Sequence, residues 1–397
     1  MRPRILVTLS DKAEPADNGK RLRAAAAVRA LAEVGDLDVV LLHLDHPLDI
    51  RPLPADVPTH HWSVLRKKRR SLSAAALRML RLLPLQIAAV DWTEMRAEIS
   101  RLRPRTSDLV WFGSLDHFVV LRDLIGDTPA VVDYDDVEPA KIKAFLAVAP
   151  RDLSGQLMRA KARVERLFWR RLERVAKRRS AALIVCSDLD VQRLAGPNTL
   201  AVPNTYPDPG PAARRVKGGP PEFLMIANFG YKPNIDAANF AAREILPTLR
   251  RALPDAVIHL AGHESDRYLT ELRGLPGIRL TGAFPEVRPL LENATAVIAP
   301  IRYGGGTRLK IIEAWAYGVP VVSTTMGAEG LHPTDGTDLL LVDAAYDFAT
   351  ACIRVTCDPE LRRQLSYAGR LRYEAAHRPA AGERAVAELL NELFSRR

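Results

Sequence analysis

Short apolar runs alternate with stretches of helical spacing along the whole chain. Runs of four or five apolar residues bounded by turn formers predict strands buried on both faces, and the patterns between them predict covering helices. In the first half the predicted strands are RILVTLS, DVVLLHL, DLVWF, AVVDYD and AALIVCS. In the second half they are EFLMIA, AVIHLAG, IRLTG, TAVIAP, PVVST and DLLLV. This alternation predicts an α/β protein with parallel sheets, each half a Rossmann-like, doubly wound domain. Pro203 to Pro221 is crowded with proline and glycine and carries no periodicity. The expected organisation is therefore an N-terminal domain over 1–205, a linker over 206–221, a C-terminal domain over 222–378 and a last helix over 379–397. In that helix Val386, Leu389, Leu390 and Leu393 share one side, which packs on its own domain or crosses back to the first. The two domains are expected to face each other across a cleft, with ligands at the carboxyl ends of the strands.

The segment PIRYGGGTRLKIIEAWAYGVPVVS, Pro300 to Ser323, combines this pattern with chemistry. Thr307 reads as the N-cap of a helix from Arg308 to Tyr317, with Gly318 just past its end and Pro320 following. Leu309, Ile312 and Ala316 form the expected apolar stripe, and Glu313 falls on the same side. Arg308 and Lys310 stand in the first turn against the helix dipole, at a cost of up to about 1 kcal/mol each. An anion at the helix start removes the conflict. Amides freed by Gly304, Gly305 and Gly306 can cup a phosphate that Arg308 and Lys310 neutralise, and Glu313 one turn inward can accept two hydrogen bonds from a ribose diol. Alternatively, Lys310 and Glu313 pair on a surface helix and the glycines make a plain turn. The P-loop and dinucleotide spacings are both absent.

Composition narrows the setting. Of 397 residues, 47% are hydrophobic and 26% charged, and no apolar run reaches the length of a membrane span. The opening MRPRILVTLSDK reads as a first strand, since a secretory signal needs a longer apolar core. Cys186, Cys352 and Cys357 give neither a disulfide framework nor a zinc spacing, which fits a cytoplasmic protein. A net charge of +10 fits an anionic partner or simply solubilises the chain.

The glycine segment, continued through TTMGAEGL, resembles the donor-binding signature of GT-B glycosyltransferases of the group 1, family 4-like class. FLMIANFGYKPNIDAANFAAREILPTLRRALPDAVIHLAG and IRLTGAFPEVRPLLENATAVIAP resemble other parts of the same donor domain. In the first half DNGKRLRAAAAVRALAE, AVVDYDDVE, AALIVCS and LAVPN match more loosely. The resemblance implies transfer of a sugar from a nucleoside-diphosphate sugar to a hydroxyl, with retention, in envelope polysaccharide, glycolipid or natural-product glycosylation. It places the ribose-binding glutamate on Glu313 and the phosphate loop on Gly304 to Thr307. Two departures stand out. Where many relatives carry a second glutamate, eight residues before the first, this chain has Gly305. Where many supply an arginine and a lysine from the first donor-domain loop, it has Asn228 and Lys232, so Arg308 and Lys310 are expected to take over the diphosphate.

Glycosyl transfer needs a stabilised leaving diphosphate and an oriented acceptor. DYDD, Asp133 to Asp136, contains an Asp-x-Asp of the kind that holds a metal in the other large glycosyltransferase fold. The cations at the helix start already supply that charge, so no metal and no cofactor is expected. Asp135 and Asp136 either act on the acceptor or cap the helix starting near Val137. Asp135 falls roughly where relatives place a cleft histidine. Gly19, Lys20 and Arg23 either approach the reacting sugar and phosphates, as the matching loop does in relatives, or form a turn with solvated cations.

The run RKKRRSLSAAALRMLRLLPLQ from Arg66 is basic and then apolar. It is either a peripheral contact with the inner face of a membrane or a core helix after a solvated turn. His60, His61 and Trp62 are expected on the surface or in an acceptor loop. No interleaved aromatic pattern or zinc module points to a nucleic-acid partner. The rival readings are a nucleotide-sugar epimerase on the same scaffold and a non-catalytic basic protein that binds membrane or nucleic acid.

Overall fold

The first strand shows why the sheets are parallel. In β1 (Arg4–Leu9) five of six residues are buried, with Ile5 and Val7 entering one apolar layer and Leu6 the other. A strand buried on both faces needs helices on both sides, and parallel βαβ crossovers provide them. The computed structural model describes residues 2–13, 19–43, 53–69, 82–149, 152–212, 219–306 and 308–395. It divides into unit 1, Met1–Thr205 with Pro379–Arg397, and unit 2, Tyr206–Arg378.

Unit 1 holds β1, β2 (Asp36–His43), β3 (His61–Arg66), β4 (Leu109–Phe112), β5 (Ala130–Asp133), β6 (Ala182–Val185) and β7 (Thr199–Ala201). They form one sheet in the order β3-β2-β1-β4-β5-β6-β7, every pairing parallel. Helix α1 (Gly19–Val34) buries Val28 and Leu31 against the layer of Ile5 and Val7. The second long helix is α2 (Leu153–Arg179). His61 was expected on the surface or in an acceptor loop; instead it opens the edge strand β3. His61 Nε2 lies 3.1 Å from Glu98, and His60 Nδ1 lies 3.2 Å from Asp38.

Unit 2 holds β8 (Glu222–Ile226), β9 (Val257–Ala261), β10 (Ile278–Thr281), β11 (Ala296–Ala299), β12 (Val321–Ser323) and β13 (Leu340–Leu341). Their order is β10-β9-β8-β11-β12-β13, again all parallel. Two helices matter for the site: α3 (Lys232–Phe240) after β8, and α4 (Leu309–Ala316) after β11. The buried face of α4 is Ile311, Ile312, Ala314, Trp315 and Ala316, while Leu309 is only half-buried. The stripe is therefore rotated from the one expected on Leu309, because Trp315 fills the layer beside Leu224 and Val297.

The first residues of the expected connector are held to unit 2. The Tyr206 amide donates to His377 O, and Asp208 pairs with Arg370 and Arg378 at 3.1 and 2.7 Å. The last helix, α5 (Pro379–Ser395), buries Val386, Leu389 and Leu390 in the α1 layer of unit 1. Among the described residues no helix is long and apolar enough to cross a membrane.

Candidate functional site

In each sheet the strand order reverses between the first strand and the fourth, which opens a crevice at their carboxyl ends. In unit 2 these strands are β8 and β11. The loop after β8 carries Asn228, and the loop after β11 carries the three glycines. A chain of side chains ties the two loops together. Lys310 Nζ donates to Asn234 Oδ1 at 3.2 Å, and Asn234 Nδ2 donates to Asn228 O at 2.9 Å. Arg302 adds a second tie, paired with Asp236 of α3 at 2.6 Å and lying over the Phe240 ring.

The glycine loop is shaped around Arg308. Gly304 has φ +149° and Gly306 has φ +68°, conformations side chains rarely adopt, and a Cβ on Gly304 would stand 2.5 Å from Arg308 Nη2. Arg308, and not the expected Thr307, is the N-cap residue of α4. Its side chain makes no cap bond to the first-turn amides. Thr307 itself lies outside the described residues. Arg308 is 9% exposed. Nη1 donates to Gly305 O, while Nε and Nη2 have no acceptor among the described residues.

Lys310 and Glu313 are half-buried on the next turn. Burial, with the neighbouring Arg308 charge, lowers the Lys310 ammonium to about 7. Burial raises the Glu313 carboxyl to about 7, against the opposing effects of a Tyr206 hydrogen bond and Lys310. The two do not pair: Lys310 turns to Asn234, and Glu313 Oε1 accepts from Tyr206 Oη at 2.7 Å. The alternative of a surface Lys310–Glu313 ion pair is therefore not what the helix does. Gly318, at φ +67°, ends α4 in the left-handed conformation. Asn228 and Lys232 are both exposed, and the Asn228 side chain accepts from Gly230 N within its own turn. Tyr206 and Asn234 were not among the candidates from sequence. Nothing local marks them, since their partners lie 107 and 76 residues away.

Gly19 and Lys20 begin α1, Gly19 half-buried and Lys20 exposed. Arg23, read as a loop or solvated cation, is neither. It is 9% exposed, paired with Asp133 at 2.7 Å, and it donates to Val202 O and Asn204 Oδ1. Although burial works against its charge, Asp133 and Asp135 hold it firmly protonated. Asp133, the first acid of the Asp-x-Asp, is therefore engaged, and no cluster of three metal-ligating side chains exists among the described residues. Neither Asp135 nor Asp136 caps the following helix. Its N-cap is Val137, and the Glu138 amide donates to Tyr134 Oη. Both aspartates are half-buried beyond the end of β5. Burial and then Asp136 raise the Asp135 carboxyl, and Asp136 lies 3.4 Å from Lys141.

Residues 220–358, most of unit 2, match the family model of glycosyl transferases group 1. Over these residues the chain is similar to the group 1 glycosyltransferases. Three solved structures show the same GT-B fold across the chain. HepE from Anabaena, solved with UDP and glucose, superposes with a TM-score of 0.67 at 12% identity, covering 98% of this chain and 100% of its own. Sucrose-phosphate synthase from Thermosynechococcus elongatus gives 0.69 at 17% identity, covering 100% of both chains. The lipopolysaccharide outer core galactosyltransferase WaaB gives 0.59 at 13% identity, covering 99% of this chain and 100% of its own. No curated protein matches this sequence.

Proposed function

We propose that this glycosyltransferase moves a sugar from a nucleoside-diphosphate sugar to an acceptor hydroxyl, with retention and without a metal, in envelope polysaccharide, glycolipid or natural-product glycosylation. The observation that carries the reading is the buried Arg308 side chain, whose Nε and Nη2 lack an acceptor among the described residues, beside Lys310 at the start of α4. A buried cation in this state is stabilised by an anion, and a diphosphate also takes up the free amides. HepE holds UDP, which supports a uridine nucleotide as the first donor to try.

In this reading Arg308, Lys310 and the amides of Gly304 to Gly306 and Thr307 stabilise charge on the leaving diphosphate. Glu313 exchanges its bond to Tyr206 for the ribose diol. Asn228, on the loop after β8, and Lys232, at the start of α3, stand beside the phosphates. Asp135 and Asp136 orient the acceptor, with Gly19 and Lys20 near the transferred sugar. Arg23, grouped with Gly19 and Lys20 on sequence, instead holds Asp133 in place. The protein works at the inner face of a membrane through the basic segment from Arg66, of which residues 70–81 lie outside the described residues.

The test is donor kinetics after a thermal-shift panel of UDP, GDP and TDP. Arg308→Ala with Lys310→Ala should raise the donor KM at least about tenfold; an unchanged KM removes the reading. Interconversion of free nucleotide sugar without an acceptor would favour an epimerase instead.

A further inference from the structure

Helix α2 carries a stripe that the transfer reaction does not use. Its inward face buries Gly155, Trp169, Leu172, Glu173 and Ala176. Leu153, Leu157, Val164 and Leu167 are exposed by 84, 74, 45 and 62%. With Ala160 they follow alternating spacings of four and three, which keeps them within an arc of about 80°, half a turn from the buried face. Single exposed leucines are ordinary, but a continuous stripe along several turns marks a contact surface.

The charge around the stripe selects the partner. The 27-residue helix has ten lysines and arginines against two glutamates. Both acids are turned to the body of the unit: Glu173 accepts from Tyr134, and Glu165 accepts from the Leu85 amide. Among the described residues no carboxylate lies within ion-pair distance of any of the ten cations. Arg163, Arg170 and Arg174 run along one flank, Lys161 and Arg179 along the other. Arg171 also lines an open recess of about 420 Å³ with Arg122 and with Arg96, the last paired with Asp123. A second copy of α2 would bring the same cations to the same flanks and be repelled.

We infer that this face binds an anionic lipid bilayer, with α2 lying in the headgroup plane, its leucines in the acyl boundary and its arginines on lipid phosphates. This supplies a surface for the peripheral contact proposed above; it rests on that contact and not on the transfer reaction.

The experiment is co-sedimentation of the full chain with phosphatidylglycerol or phosphatidylcholine vesicles, alongside light scattering and UDP binding. The wild type should partition at least about tenfold better onto the anionic vesicles. Leu153→Glu with Leu157→Glu and Leu167→Glu, and separately Arg163→Glu with Arg170→Glu, should lose that binding while keeping the melting temperature and UDP affinity. The sites are exposed and opposite the buried face, and a Leu→Gln set repeats the test with a milder change. Wild-type vesicle binding by these variants overturns the assignment and leaves the contact to the Arg66 segment. A dimer broken by the leucine variants overturns it in favour of a second copy. Absence of any vesicle binding by the wild type removes both surface and contact, while transfer activity would stand.

Discussion

Arg308→Met keeps much of the side chain's length and removes its charge. In the free protein Arg308 is 9% exposed, and its guanidinium gives one hydrogen bond to Gly305 O and leaves Nε and Nη2 without acceptors among the described residues. Each unmade buried donor costs about 1–3 kcal/mol, whereas the bond lost with Gly305 contributes about 1 kcal/mol. The variant should therefore be more stable by about 1–5 kcal/mol, a rise of at least a few degrees in the unit 2 midpoint. Binding should move the other way. Removing one partner of a buried charge pair costs about 2–5 kcal/mol, so the Kd for UDP should weaken by about 30- to 5,000-fold. Urea unfolding read through Trp315 fluorescence gives the first quantity, and titration calorimetry gives the second. Lower stability without ligand, together with unchanged affinity, would refute the argument that Arg308 is held unsatisfied for an anion.

Three further outcomes follow from the geometry. In Glu313→Gln the affinity for a nucleotide sugar should weaken at least about tenfold between pH 6 and pH 8 by calorimetry. Lys310, held at about 7, binds the diphosphate as an ammonium, so affinity is full below that pH and lost above it. Lys310→Met should be flat over the same range, and in the wild type the opposite slope of Glu313 should flatten the profile. Asp133→Ala leaves Arg23 buried without its 2.7 Å carboxylate partner and should cost unit 1 about 3–5 kcal/mol in urea unfolding. An unchanged midpoint would show the pair to be dispensable. Leu390→Ala, at a fully buried position against α1, should cost about 2–5 kcal/mol in the unit 1 transition and leave the Trp315 signal in place.

The central strands were legible because burial on both faces writes a continuous apolar run. The edge strands β3 and β7 were not: His61–Arg66 and Thr199–Ala201 are only partly buried and mix polar with apolar residues. The glycine loop and its two cations were legible because they lie within seven residues of one another, Gly304 to Lys310. Tyr206 on Glu313 was not, because a contact across 107 residues leaves no local pattern.

By itself, the chain determined where strands and turns form and which charges stand near a helix start, since propensity, periodicity and glycine's conformational freedom act over a few residues. Tertiary structure decided which charges lose water. Arg23 and Arg308 look alike as cations beside small residues, yet packing gives one a carboxylate and leaves the other with open donors. Desolvation depends on everything that surrounds a group, and Arg23's partners Asp133, Val202 and Asn204 all come from far along the chain.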